Sequence, residues 1–274
     1  MNVNGYLTRL AVQGIVRDSE RASIDRSIGA LRIRLKQYFK AALNESVVFG
    51  SYSRKTILPR KMDEESDVDI MVVFANEGLS PQRYFNYLRQ FTMERYSNSE
   101  IAKSHPTIVL SLNHIRFELV PTIRQVFYGY QIPAKASDYE TWLSTDPLGF
   151  NNKLSKVNKL RGNQIKPLIR LLKYWNAVNN YPFESYALEQ SIVDHWSNFF
   201  LPSSRNQLKH YFYETVKHLD VSYWAASWKK DRINRARELV REAEKDEVGQ
   251  TLASVLYGEK GLQAVKKILP PLGA

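Results

Sequence analysis

Cysteine is absent from the 274-residue chain, which excludes disulfides, thiol nucleophiles and cysteine-ligated zinc. No G-x-x-x-x-G-K-[ST] loop occurs, so a P-loop kinase or ATPase is not supported. The five histidines, His105, His114, His195, His210 and His218, show no H-x-H or H-E-x-x-H spacing. No zinc site is therefore read from them, and His114, near Glu118 along a strand, reads as a surface residue rather than a base. Internal repeats, low-complexity tracts and glycine-serine linkers are also missing. No apolar run approaches the length of a membrane span, and the opening residues MNVNGYLTRLAVQG lack the basic start and apolar run of a signal peptide. The expectation is a cytoplasmic protein without a membrane partner.

What is present is apolar enough for a real core, with 43% hydrophobic and 12% aromatic residues. The length suits one unit of two lobes or two small domains. An excess of 39 basic over 28 acidic residues gives a net charge of +11. That balance favours polyanionic ligands without separating nucleotides from nucleic acid.

The stretch from Val47 to Phe74, VVFGSYSRKTILPRKMDEESDVDIMVVF, holds the richest chemistry. A short β-branched run turns at Gly50-Ser51, and a second apolar run begins at Asp67-Val68-Asp69. Side chains alternate along a strand, so Asp67 and Asp69 share a face while Val68 and Ile70 point into the core. Two carboxylates side by side repel unless a cation lies between them, and a hard divalent ion is the usual solution. Ser51 is expected to open a short helix, SYSRKT, whose first N–H groups suit an anion. A carboxylate pair facing such a turn is equipment for phosphoryl transfer. Taken singly, the first feature reads as a solvent face and the second as a plain turn.

Before this stretch, Ile24, Ile28, Leu31, Leu35 and Phe39 recur at three and four, predicting a helix from Asp18 to Leu43 capped by Asp18 or Ser19. After it, Pro81 to Tyr96 reads as helix, and Thr107 to Leu112 and His114 to Pro121 as strands joined at Asn113. On local grounds Glu118 is an exposed glutamate of an edge strand. From Lys153 to Trp175 the pattern is helical, interrupted at Gly162 and Pro167, which allows one kinked helix or two abutting ones. Helices are expected from Ile192 to Leu201, Leu208 to Leu219, Trp228 to Asp246 and Thr251 to Leu269. The basic run Lys229 to Arg237 reads as a solvated helix face. Charges at i,i+3 suggest surface pairs of Glu238 with Arg241, Arg241 with Glu244 and Glu242 with Lys245.

The order G-S-x(n)-S-D-x-D before an apolar strand, with Ser66-Asp67-Val68-Asp69-Ile70 at its centre, resembles the polymerase-β-like nucleotidyltransferase superfamily. Members carry a third carboxylate on a neighbouring strand, commonly in a D-x-V-P context. Phe117-Glu118-Leu119-Val120-Pro121 matches it with Glu in place of Asp, so the resemblance implies Asp67, Asp69 and Glu118 as catalytic metal ligands. The run Ile165 to Asn176, followed by Phe183 to Glu189, is similar to the oligoadenylate-synthetase and cGAS-like branch, whose bacterial members are CD-NTases. That branch implies Lys173, Ser185 and Tyr186 as nucleotide contacts, while the Gly50-Ser51 turn is expected to hold the β- and γ-phosphates. Lys173 would be a mobile charge for the phosphates and Tyr186 a stacking face; local patterning alone reads Lys173 as a solvated residue and Tyr186 as a core aromatic near Trp175.

The implied fold is α+β, with a nucleotidyltransferase lobe of mixed sheet and flanking helices (1–146), a helical lobe (147–274) and an active-site cleft between them. The implied activity joins nucleoside triphosphates into a cyclic or linear oligonucleotide second messenger in anti-phage signalling. It uses two Mg²⁺ or Mn²⁺ ions and releases pyrophosphate. A downstream effector would respond to the product, and nucleic acid is a possible but not required partner. Alternatives are a nucleotidyltransferase acting on a tRNA or protein hydroxyl, and a catalytically silent nucleotide- or RNA-binding module.

Overall fold

A computed structural model describes residues 1–75, 78–96, 100–104, 107–125, 129–134, 141–199, 206–222, 224–250 and 258–272. His105 and the start of the expected 251–269 helix lie outside the described residues. The chain forms two compact units: Val16–Arg60 with Glu64–Asn152, and Met1–Ile15 with Lys61–Asp63 and Lys153–Ala274. The expected division at 146/147 follows sequence order. Packing instead groups the first fifteen residues with the C-terminal helices, because helix α1 (Val3–Gln13) buries Tyr6, Leu7 and Leu10 among them.

In the first unit, α2 (Asp18–Phe39) and a 3₁₀ turn lead into β1 (Leu43–Val48), α3 (Gly50–Arg54), β2 (Asp67–Phe74) and α4 (Pro81–Arg95). Strands β3 (Glu100–Ser104), β4 (Thr107–Ser111), β5 (Arg116–Arg124), β6 (Tyr130–Pro133) and β7 (Trp142–Thr145) follow. The sheet order is β1-β2-β5-β4-β3, with β6 beside β5 and β7 beside β6. Among the described residues only the β2–β5 pairing is parallel, which makes the sheet mixed. Val68, Ile70, Val72 and Phe74 of β2 join a core with Ile24, Ile28 and Leu31 of α2 and Phe85, Leu88 and Phe91 of α4. A period of two then leaves Asp67 and Asp69 on the opposite face. The cap of α2 differs from expectation. Arg17 is its N-cap and makes no side-chain bond, while Asp18 and Glu20 occupy the first turn, where negative charge complements the helix dipole.

The helical unit holds α1 and, from Lys153 onward, the rest of α5 (Pro147–Leu160), then α6 (Ile165–Val178), α7 (Ser185–Asn198), α8 (Leu208–His218), α9 (Ser227–Gln250) and α10 (Gly258–Ile268). Of the two readings of residues 153–175, two helices hold. Gly162 and Asn163 turn at φ of 58° and 62°, and Pro167 falls in the first turn of α6, where its missing N–H breaks no helical bond. Arg170 of α6 donates from Nε to the Ala11 carbonyl at 3.0 Å, and burial lowers its pKa to about 10. The Tyr6 hydroxyl donates to the Leu269 carbonyl at 2.6 Å; burial, assisted by neighbouring Tyr174, raises Tyr6 to about 12. Helix α9 turns Ile233, Ala236, Leu239 and Val240 inward and its basic run outward. The pairs it forms differ from those expected. Glu238 meets Arg235 at 3.3 Å, and Glu244 meets Lys217 of α8 at 2.9 Å, since a neighbouring helix supplies the nearer cation.

Candidate active site

The parallel register of β2 and β5 sets Asp67 opposite Arg116, Val68 opposite Phe117 and Asp69 opposite Glu118. Opposed residues of paired strands share a face, so all three carboxylates project from the same side of the sheet. Burial agrees: Val68, Phe117 and Leu119 are fully enclosed, while Asp67, Asp69 and Glu118 are only partly covered. The edge-strand reading of Glu118 is corrected here, because β5 runs between β2 and β4. Pro121 fits this central strand because it falls between the last β4 partner, at Leu119, and the first β6 partner, at Ile123.

Gly50 closes in on the same face. The Phe49 N–H donates to the Asp69 carbonyl at 3.0 Å, after which Gly50 turns with φ of +66° to open α3. A Cβ placed on Gly50 would stand 1.7 Å from Oδ2 of Asp69. Only glycine lets the backbone approach that carboxylate so closely. Ser51 is buried, and its carbonyl accepts from the N–H groups of Thr56 and Ile57 at 3.0 and 3.1 Å, which folds the following loop back onto α3. The helix opens one residue earlier than expected, at Gly50 rather than Ser51.

Arg116 joins this face without having been anticipated. Its guanidinium donates to Glu65 and lies 3.9 Å from Oδ2 of Asp67. Burial disfavours its charge, but the Glu65 hydrogen bond and the charges of Glu65, Asp67 and Glu118 outweigh that and raise its pKa. A cation here reduces the mutual repulsion of the acids. The three carboxylates present only oxygen donors, the set that hard ions such as Mg²⁺ and Mn²⁺ prefer. His114 lies apart from this role: its Nε2 is 3.0 Å from the Ser27 hydroxyl of α2.

The remaining expected contacts belong to the helical unit. Ser185 and Tyr186 begin α7. Tyr186 is 47% exposed, which removes the core-aromatic reading; Phe183 is the ring that packs near Trp175, at 6.2 Å. Lys173 of α6 is buried rather than solvated. It is 6% exposed, with Nζ 3.5 Å from Oε1 of the fully buried Glu189 of α7. No sequence signal marked Glu189 as its counter-charge beyond the one-turn spacing that sets Glu189 on the Ser185 face.

Residues 1–158, more than half of the chain, match the family described as the Second Messenger Oligonucleotide or Dinucleotide Synthetase domain. The chain belongs to that family. This synthetase is 26% identical over 248 residues to a probable cyclic nucleotide synthase of Bacillus cereus, covering 73% of each chain. It is 26% identical over 185 residues to the CBASS oligonucleotide cyclase CdnC of Escherichia coli, an alignment spanning 63% of this chain and 57% of that one. The fold is that of Vibrio cholerae DncV, a cyclic AMP-GMP synthase solved with a linear intermediate. The two superpose with a TM-score of 0.78 over 100% of this chain and 96% of the other, at 11% identity. The synthetase is thus a nucleotidyltransferase of the CD-NTase and cGAS-like group. Among its described residues no helix is long and apolar enough to cross a membrane.

Proposed function

We propose that this synthetase transfers nucleotidyl groups from nucleoside triphosphates to a ribose hydroxyl, releasing pyrophosphate and building a cyclic or linear oligonucleotide second messenger for bacterial anti-phage signalling. The observation that carries this reading is Asp69 standing opposite Glu118 across the parallel strands, with Asp67 on the same face. Asp67, Asp69 and Glu118 would hold two Mg²⁺ or Mn²⁺ ions. Such ions polarise phosphoryl oxygens and lower the pKa of an attacking hydroxyl. The Gly50–Ser51 turn grips the leaving phosphates through first-turn N–H groups of α3. Arg116 holds Asp67 in place through its contact and keeps the acidic face from splaying. In the helical unit, Tyr186 offers an exposed ring to a base and Ser185 a hydroxyl to phosphate. Lys173 contributes a charge that a triphosphate must win from Glu189. A downstream effector would read the product.

The test is incubation of the purified protein with each labelled triphosphate and Mg²⁺ or Mn²⁺, scoring phosphatase-resistant product, with and without tRNA. Wild type should make product from triphosphates alone, and Asp67→Asn/Asp69→Asn should make none while keeping its fold. Robust synthesis by that double variant would refute the assignment. The net charge of +11 favours a second reading, in which the acceptor is a tRNA or another macromolecular hydroxyl. Label incorporated only with an added macromolecule would select it. Nucleotide or RNA binding with no turnover would mark a silent binding module.

A further inference from the structure

In the helical unit, α7 and α8 bring together a histidine of one helix and a glutamate and histidine of the other. Ligand atoms of His195, Glu214 and His218 all lie within 4.8 Å of one another. The two imidazoles stand 4.9 Å apart between centroids, tilted by 35°. Glu214 and His218 are one turn apart on α8 and so share its face. His218 Nδ1 is 2.9 Å from the Glu214 backbone carbonyl and 3.2 Å from Glu214 Oε1. With Nδ1–H donating to that carbonyl, Nε2 carries the lone pair, which is the arrangement that orients a ligating imidazole from behind.

His195 is fixed by packing instead. Its ring stacks on Phe199 at 5.0 Å and meets Trp196 edge-on at 5.0 Å. Nε2 of His195 is shielded from solvent and has no hydrogen-bond partner among the described residues. A ring nitrogen out of water with nothing to bond is unfavourable, and a metal bond relieves it. Glu214 has its two oxygens differently engaged: Oε2 lies 3.4 Å from Lys217, which Glu244 shares at 2.9 Å, leaving Oε1 on the His218 side.

We propose that His195, Glu214 and His218 form a binding site for a borderline divalent ion of the zinc class, whose bonds tie α7 to α8. Two imidazoles and one carboxylate are a donor set for Zn²⁺ or Co²⁺ rather than for the Mg²⁺ class. Tetrahedral bonds of about 2.0–2.2 Å place ligand atoms about 3.3–3.6 Å apart, so side-chain rotations of roughly an ångström complete the site. His218 is 53% exposed, which opens a path for the ion and a fourth position for water. The helix so tied is the one that begins with Ser185 and Tyr186.

Tag-free full-length protein titrated with Co²⁺ in excess Mg²⁺ tests the site. One equivalent should give the visible absorption of a low-coordinate nitrogen and oxygen site, be displaced by Zn²⁺, and raise the melting temperature. His218→Gln, at an exposed position, should abolish the spectrum and weaken binding by more than the roughly 10–100-fold that loss of an outer-shell partner causes. His195→Gln should do the same, whereas Asp67→Asn/Asp69→Asn should leave the signal intact. No saturable spectrum in the wild type, or a spectrum unchanged in both histidine variants, overturns the proposal.

Discussion

Alanine at position 50 would drive its Cβ to 1.7 Å from the Asp69 carboxylate and hold an L residue at φ of +66°. The left-handed backbone alone costs about 1–2 kcal/mol, and relief of the clash moves the very carboxylate to which the proposed reaction assigns a metal. Gly50→Ala should therefore lower stability by at least about 1–2 kcal/mol in urea melts and abolish product formation in the labelled-triphosphate assay. Wild-type turnover in that variant would mean that the close approach is incidental. The Lys173–Glu189 pair makes a second residue-scale claim. With Lys173 6% and Glu189 1% exposed, removing either partner takes a counter-charge away from a buried ion. Lys173→Met and Glu189→Leu should each cost about 3–5 kcal/mol, and the double variant less than their sum. Denaturant melts of all four proteins give the cycle, and additive losses would show that the pair is not coupled.

At the scale of elements, the start of β2 could be read directly because Asp67-Val68-Asp69-Ile70 alternates, apolar toward α2 and α4 and acidic on the other side, before Met71 and Val73 continue that second face as buried apolar residues. Glu118 needed the family resemblance, since a single strand sequence does not say whether it lies at an edge or between two neighbours; the order β1-β2-β5-β4 decides that. Three features had no local signal. Arg116 beside Asp67, Glu189 beside Lys173 and His195 beside His218 are each made by strands or helices meeting from separate parts of the chain, and hydrophobic periodicity carries no information on such pairings. The site residues Lys173, Ser185 and Tyr186 rest on the resemblance, and the labelled-triphosphate assay on their variants is what judges them.

Helix α1 offers a pH test at the same scale. Tyr6 keeps its proton when folded, up to about 12, against an ordinary value of 10.0. The unfolded chain gives that proton up first, so this stabilisation is complete below pH 10.0 and fades as pH climbs toward 12. Tyr6→Phe should be less stable near neutrality, through loss of the bond to Leu269, and should show a shallower alkaline decline. Parallel decline in both proteins would assign the alkaline loss elsewhere.

For the whole molecule, the grouping of Met1–Ile15 with Lys153–Ala274 makes the helical unit discontinuous in sequence. Tyr6, Leu7 and Leu10 are each buried to 6% exposure or less, and large apolar side chains contribute about 1.5–3 kcal/mol apiece. Deleting residues 1–15 should therefore strip hydrogen-exchange protection from α6, α8 and α10 while β2 and β5 of the other unit keep theirs. Protection lost evenly from both units would show that the chain unfolds as one body. If RNA is a ligand, the +11 charge predicts affinity that falls steeply with salt, and a flat dependence would remove the electrostatic argument for it.

The Tyr6 bond to Leu269 also sets an order of events on the ribosome. The sheet-bearing segment can collapse as soon as residue 152 clears the exit tunnel, whereas α1 gains α6 and α8 only after that, and its last partner, Leu269, follows Tyr6 by 263 residues, roughly 13–53 s at ordinary elongation rates. Until α6 emerges its apolar stripe is a nascent-chain surface for chaperones, and stalling translation before α10 emerges would leave that stripe covered only in part.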